Sequence, residues 1–258
     1  MELKAKAAKL IDVMSGTVLY DKNGDLALFP ASMTKLATAM FALTKKRIAL
    51  DHVILISDHV HDSLSKEDAK MGLVRSEKIS FDSLLHALLL PSGNDAANAI
   101  AEYASGSIQT FVTELNEYVA ALGCTQTFFM NPHGLHHPKH VSSASDLCLI
   151  MKGVLNQPRL KEIIAKPYFI CPKTNKHPQR RLEQLNLLVV PNSRYFNPRV
   201  LGGKTGHHRN AHWCVIAAAA DTEKTLIACV MGSDDNASRF ADACKLFDYG
   251  FGLKRFIQ

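Results

Sequence analysis

The spacing of apolar residues changes period twice along the chain. Residues 8–20 read as two short strands around Ser15-Gly16, followed by the turn signal Asn23-Gly24, which together predict a β-hairpin. Leu36, Ala39, Met40 and Leu43 then recur at helical spacing. They predict a buried helix that begins near Ser32 and ends in Lys45-Lys46-Arg47, cations suited to its C-terminal dipole. The run Phe81 to Leu90 predicts a second helix halted at Pro91, and an Ala-rich helix restarts at 95–104 after a short polar loop. Further helices are predicted at 108–122, 145–155 and 158–165. Strand-like runs return at 212–220 and 225–231 around the polar turn Asp221-Thr222-Glu223-Lys224, and a helix at about 237–248 closes the pattern. Strands at both ends of a helical middle predict an α+β fold. Its antiparallel sheet comes from both chain ends, flanked by helices, with a helical lobe inserted.

Composition narrows this picture without redirecting it. With 258 residues, 47% hydrophobic and 21% charged, the chain has material for a large core. No Gly/Ser- or Pro-rich linker divides it, so residues 1–258 are expected to form a single domain of two lobes. The sheet lobe would take about 1–50 and 185–258, and the mainly helical lobe about 51–184. The net charge of +6 is dispersed, with only short basic runs and no aromatic interleaving, which argues against nucleic acid as a partner. No stretch approaches the ~20 apolar residues of a membrane span, and the N-terminus has no basic-then-apolar leader. The chain as given is therefore expected to be soluble, with any export signal outside it.

Cys124, Cys148, Cys171, Cys214, Cys229 and Cys244 are widely spaced, with no Cys-x-x-Cys pair. Most are expected to be buried thiols; in an oxidising compartment their pairing is open. His133, His136, His137 and His140 have spacings that could suit zinc, but Pro132, Gly134 and Pro138 interrupt any helix that would align them. They are read as loop histidines. Neither a metal nor a cofactor is expected.

Candidate chemistry begins at Ser32-Met33-Thr34-Lys35. Three residues are about one helical turn, so the Ser32 hydroxyl and the Lys35 amine share a face at a helix start. An unprotonated lysine there can take the serine's proton. The spacing alone is weak, because Ser63-Leu64-Ser65-Lys66 repeats it in a polar stretch read as surface. Ser92-Gly93-Asn94 sits in the break between two predicted helices. Lys204-Thr205-Gly206, preceded by Gly202-Gly203, is placed at a bend entering the strand at 212–220. Each of the last two could be a mere turn. In order, however, the three make the S-x-x-K, S-x-N, K-T-G set of serine acyl-transfer enzymes.

With Phe29-Pro30-Ala31 before Ser32, Asp95-Ala96 after Asn94, Asn131-Pro132-His133-Gly134-Leu135, Ser145-Asp146-Leu147, and Ser238-Arg239-Phe240 running to Tyr249-Gly250-Phe251, the chain resembles the penicillin-binding proteins over nearly its whole length. Specifically, it resembles the low-molecular-mass D-alanyl-D-alanine carboxypeptidases. The resemblance implies a β-lactamase/transpeptidase-like fold and serine-type removal of the terminal D-alanine from peptidoglycan stem peptides ending in D-Ala-D-Ala. β-Lactam antibiotics would be covalent inhibitors. By the same resemblance, Ser32 is the nucleophile activated by Lys35, and the backbone N–H groups of Ser32 and His207 form the oxyanion hole. Ser92 relays a proton to the leaving amine, and Asn94 orients Lys35 and the substrate amide. Lys204 and Thr205, with Gly206 and Arg239 beside them, meet the terminal carboxylate.

The resemblance further implies a periplasmic or otherwise extracytoplasmic location, with membrane association only through segments absent from this chain. Gly93-Asn94 in place of Asp-Asn favours carboxypeptidases over class A β-lactamases. The β-lactamase glutamate motif E-x-x-x-N is not matched either, since Glu183-Gln184-Leu185-Asn186 is one residue short. A D,D-endopeptidase of the same scaffold and a peptidoglycan-binding protein without catalysis stay open. One stretch departs from the family pattern: His208 follows His207 where threonine is usual, and Arg209-Asn210-Ala211-His212-Trp213 continues it.

Overall fold

A computed structural model describes residues 1–253; the last five, to which the expected sheet lobe extends, lie outside it. The chain opens with the hairpin β1 (Ala7–Asp12) and β2 (Val18–Lys22), then passes through a single 3-10 turn, Ala31–Met33, into α1 (Thr34–Thr44). Next come β3 (Val53–Leu55) and β4 (Lys78–Ser80), a two-stranded pair, followed by α2 (Phe81–Leu89), α3 (Asn94–Ser105) and α4 (Ile108–Ala121). After a long loop follow α5 (Ala144–Leu155), α6 (Pro158–Ala165) and a second small pair, β5 (Tyr168–Cys171) with β6 (Arg180–Glu183). Three nine-residue strands, β7 (Val200–His208), β8 (His212–Ala220) and β9 (Thr225–Ser233), precede α7 (Asn236–Gly252).

The large sheet is antiparallel throughout, in the order β2-β1-β9-β8-β7. Both faces are covered, which is why β8 and β9 read as continuous apolar runs instead of alternating with polar residues. Cys214, Ile216, Ala218, Ile227, Cys229 and Met231 face the larger core shared with α1–α6. Val215, Ala217, Ala219, Leu226, Ala228 and Val230 face a smaller core closed by Phe240, Leu246 and Phe247 of α7. Helix α1 is buried from Thr34 to Ala42, its polar members Thr34, Lys35 and Thr38 included. Helix starts carry conventional caps: Ser80, Ser107, Ser143 and Asp235 each accept from the backbone N–H three residues on.

The expected α+β architecture is therefore present, with one correction that bears on the site. Lys204-Thr205-Gly206 does not precede a strand; it lies inside β7. The glycines around it, which looked like turn residues, serve close approach. A Cβ at Gly203 would lie 2.2 Å from Ile216 O, and one at Gly202 2.4 Å from Ile164 Cγ1. The pairs β3–β4 and β5–β6 also went unanticipated in the stretch read as mainly helical. All six cysteines are free thiols, five of them buried.

Candidate active site

Three elements converge on Ser32. Ser32 sits in the 3-10 turn at the start of α1, the Ser92-Gly93-Asn94 break lies between α2 and α3, and β7 supplies the outer edge of the large sheet. The approach is close enough to dictate residue identity. A Cβ at Gly206 would lie 2.7 Å from Pro30 O and 3.3 Å from Ser32 N, and one at Gly134 would lie 2.0 Å from Ala31 O. Gly134 also has φ +93°, so glycine is required there twice over.

Lys35 is fully buried, and its Nζ lies 2.9 Å from Ser32 Oγ, 2.6 Å from Asn94 Oδ1 and 2.7 Å from His133 O. Burial, followed by the neighbouring Lys204 charge, pushes its pKa well below the usual lysine value. The geometry suits the neutral amine. Asn94 Oδ1 and His133 O can only accept, so they take its two protons and leave the lone pair facing the Ser32 hydroxyl.

Ser92 holds φ +66° and lines the cleft; its buried Oγ has no hydrogen-bond partner among the described residues. The two residues after it are anchored: Gly93 N–H donates to Ala87 O, and Asn94 N–H to Ala69 O. Asp95, fully buried, accepts from the N–H groups of Met71, Gly72, Leu73 and Ala96, tying the 69–73 loop to the start of α3.

On the opposite wall, Lys204 is buried and pushed down to about 7, by burial first and Arg239 second. Its Nζ donates to Thr205 O. Arg239 Nη1 donates to Gly206 O and Cys214 O, joining β7 to β8, while its Nε has no partner among the described residues. The guanidinium lies over the Trp213 ring, and His207 stacks on Trp213 with centroids 3.7 Å apart. The cleft between these walls has a volume of about 430 Å³. Ser32, Ser92, Thr205, Gly206, His207 and Arg239 all line it, and no aspartate or glutamate among the described residues does.

The structure thus brings together every residue singled out in the sequence: Ser32, Lys35, Ser92, Asn94, Lys204, Thr205, Gly206, His207 and Arg239. Ser63 and Lys66, by contrast, are exposed. The divergent stretch is the hairpin turn between β7 and β8, where His208 pairs with His212. Of it, only Trp213 lines the cleft. The four loop histidines divide: His136 is exposed, whereas His133 and His140 are each 2% exposed. Sequence reasoning missed Asp95, His140 and Trp213 as parts of the site. The carboxylate directly after Ser92-Gly93-Asn94 and the histidine following the Asn131–Leu135 segment were the available signals.

Comparison with known proteins points one way. The D-alanyl-D-alanine carboxypeptidase family profile matches residues 1–235. The Bacillus subtilis D-alanyl-D-alanine carboxypeptidase DacF is 33% identical over 96% of this chain and 62% of its own length. Escherichia coli DacA is 31% identical over 97% of this chain and 61% of its own. The chain thus spans just over three-fifths of the length of these curated relatives. Among solved structures, a Mycobacterium tuberculosis D-alanyl-D-alanine carboxypeptidase superposes with a TM-score of 0.88 at 28% identity, covering 99% of this chain and 94% of that one. The Streptomyces K15 DD-transpeptidase superposes with a TM-score of 0.90 at 25% identity, covering 98% of this chain and 99% of that one.

Proposed function

Because the chain belongs to the D-alanyl-D-alanine carboxypeptidase family, we propose that it is a serine-type hydrolase that removes the terminal D-alanine from peptidoglycan stem pentapeptides. One observation carries this reading: a fully buried lysine 2.9 Å from a cleft serine, its two other contacts both carbonyl oxygens. Lys35 takes the Ser32 proton as Ser32 Oγ attacks the carbonyl of the penultimate D-alanine. The developing oxyanion is met by the Ser32 and His207 N–H groups, a contribution of roughly 3–4 kcal/mol per donor. Ser92, its hydroxyl without a partner among the described residues, hands a proton to the leaving amine. Lys204, Thr205 and Arg239 hold the terminal carboxylate. Water then releases the acyl-enzyme.

Penicillins, which imitate the D-Ala-D-Ala end, acylate the same serine and leave slowly. The cleft lining among the described residues holds no carboxylate, which favours this reading over a class A β-lactamase, since that enzyme needs one to activate water. The setting that goes with this activity is the cell envelope outside the cytoplasm; no helix among the described residues is long and apolar enough to cross a membrane. Incubation with a pentapeptide ending in D-Ala-D-Ala tests the assignment. Free D-alanine is expected from the native chain and none from Ser32→Ala, and a native chain that releases none contradicts it. A cross-linked muropeptide dimer in parallel separates carboxypeptidase from endopeptidase action.

A further inference from the structure

Ala31, directly before the nucleophile, has φ +47°. A residue with a side chain holds this left-handed conformation only when its surroundings impose it. The Thr34 backbone N–H donates to Ala31 O, and a chain of side-chain hydrogen bonds adds to that hold. Thr34 Oγ1 donates to Ala31 O at 2.9 Å, Thr34 Oγ1 lies 2.8 Å from His140 Nε2, and Met130 N–H donates to His140 Nδ1 at 3.0 Å.

Every proton in that chain has one possible direction. A backbone N–H can only donate, so His140 Nδ1 carries a lone pair. The neutral ring then bears its proton on Nε2, and Thr34 must accept it. The single hydroxyl proton of Thr34 is left for the Ala31 carbonyl. Burial above all, then His208, His137, Lys35 and His136, pushes the His140 pKa down to about 3, so this neutral tautomer persists near neutral pH.

Ala31 C=O and Ser32 N–H are the two ends of one planar trans peptide group. Holding the carbonyl therefore fixes the direction of the Ser32 amide. Gly134 closes the other side, with no room between it and Ala31 O for a Cβ, so the peptide cannot swing. Resting on the acyl-transfer reading above, we propose that His140, acting through Thr34, is a positioning residue that aims the Ser32 N–H as an oxyanion donor. Neither side chain lines the cleft. Both act on the reacting atoms through the Ala31 peptide.

The test uses the full chain as Thr34→Val, Thr34→Ser and His140→Phe. It reads the rate of acylation by benzylpenicillin, the infrared frequency of the acyl carbonyl in the resulting ester, and the melting temperature. Hydrogen bonds from oxyanion donors lower that frequency, and a purely structural role would leave it unmoved. Thr34→Val and His140→Phe are expected to slow acylation by about 10- to 100-fold, short of the full loss of an oxyanion donor, and to raise the carbonyl frequency. Thr34→Ser, which keeps the hydroxyl, is expected to retain both native values. Native rate and frequency in Thr34→Val would overturn the proposal. Valine and threonine are nearly the same size, so the Thr34 pair decides the matter should His140→Phe not fold. A native chain that benzylpenicillin does not acylate overturns the acyl-enzyme reading itself, whereas an acylated native chain with silent variants overturns only the positioning role.

Discussion

Ser32-Met33-Thr34-Lys35 and Ser63-Leu64-Ser65-Lys66 share one spacing and almost nothing else. The first runs from a 3-10 turn into a helix buried from Thr34 to Ala42, so serine and lysine fall on one face with the lysine fully buried. The second follows the short turn His59–His61 with no helix to align it; Ser63 and Lys66 are both exposed, and Ser63 Oγ accepts only a loose 3.4 Å contact from Asn98 Nδ2 among the described residues. Spacing sets which groups can meet. Burial sets what they can do, because desolvation is what pushes the Lys35 amine down far enough to act as a base.

The largest effect that could break this contrast comes from the two lysines. Lys35→Met removes the proposed base while keeping an apolar chain in a buried site, and acylation by a fluorescent penicillin is expected to fall by about 10²–10⁴-fold. Lys66→Met is expected to stay within about twofold of native, as surface changes usually do. Equal losses at the two positions would mean that the exposed motif takes part in the chemistry.

The glycines near each motif sharpen the same contrast at smaller magnitude. Gly134 (φ +93°) and Gly72 (φ +83°) both carry left-handed backbone, but a Cβ at Gly134 would strike Ala31 O, whereas one at Gly72 meets nothing within 4 Å. Gly134→Ala must displace the turn that presents Ser32. We expect it to lose at least about 2 kcal/mol of stability, with acylation slowed by roughly tenfold or more. Gly72→Ala carries only the conformational cost of about 1 kcal/mol, with the acylation rate near native. Denaturant melts beside labelling rates read both effects, and matched behaviour would show that the close approach at Ala31 is not what constrains the nucleophile.

What the sequence could and could not reveal follows the same division. The β1–β2 hairpin, α1, the break between α2 and α3, and α7 were legible because period and turn chemistry are local signals. Strand β7 was not, because Gly202, Gly203 and Gly206 look like a bend until Ile164, Ile216 and Pro30 are seen pressing on them. The side chains of the three motifs were legible because their chemistry is written at fixed spacings. Asp95 and His140 were not, since each acts by hydrogen bonds to segments brought near only by folding: Met71 to Leu73 in one case, Thr34 in the other. Trp213 reaches the cleft only through the β7–β8 register that sets it opposite His207.

The burial that separates Lys35 from Lys66 also acts on Lys204, and there its effect is mild enough to titrate in an ordinary assay. Lys204 is pushed down to about 7 from a usual 10.5, so on the proposed reading it would meet the substrate carboxylate as an ammonium below about pH 7 and as a neutral amine above it. A charged donor holds a carboxylate more tightly than a neutral one by roughly 1.4 kcal/mol, about tenfold. KM for a peptide with a free terminal carboxylate is therefore expected to rise by up to that factor between about pH 6 and 9, while kcat, which needs Lys35 neutral, does not fall. The sign for stability runs the other way. Between about 7 and 10.5 the unfolded chain binds the extra proton, so this group makes the fold more stable as pH rises through that window. A C-terminally amidated peptide, having no carboxylate for Lys204 to lose, is expected to show a flat KM. If its KM rose in parallel with that of the free acid, the pH dependence would belong to some group other than Lys204, and the buried lysine on β7 would not be the one that holds the carboxylate.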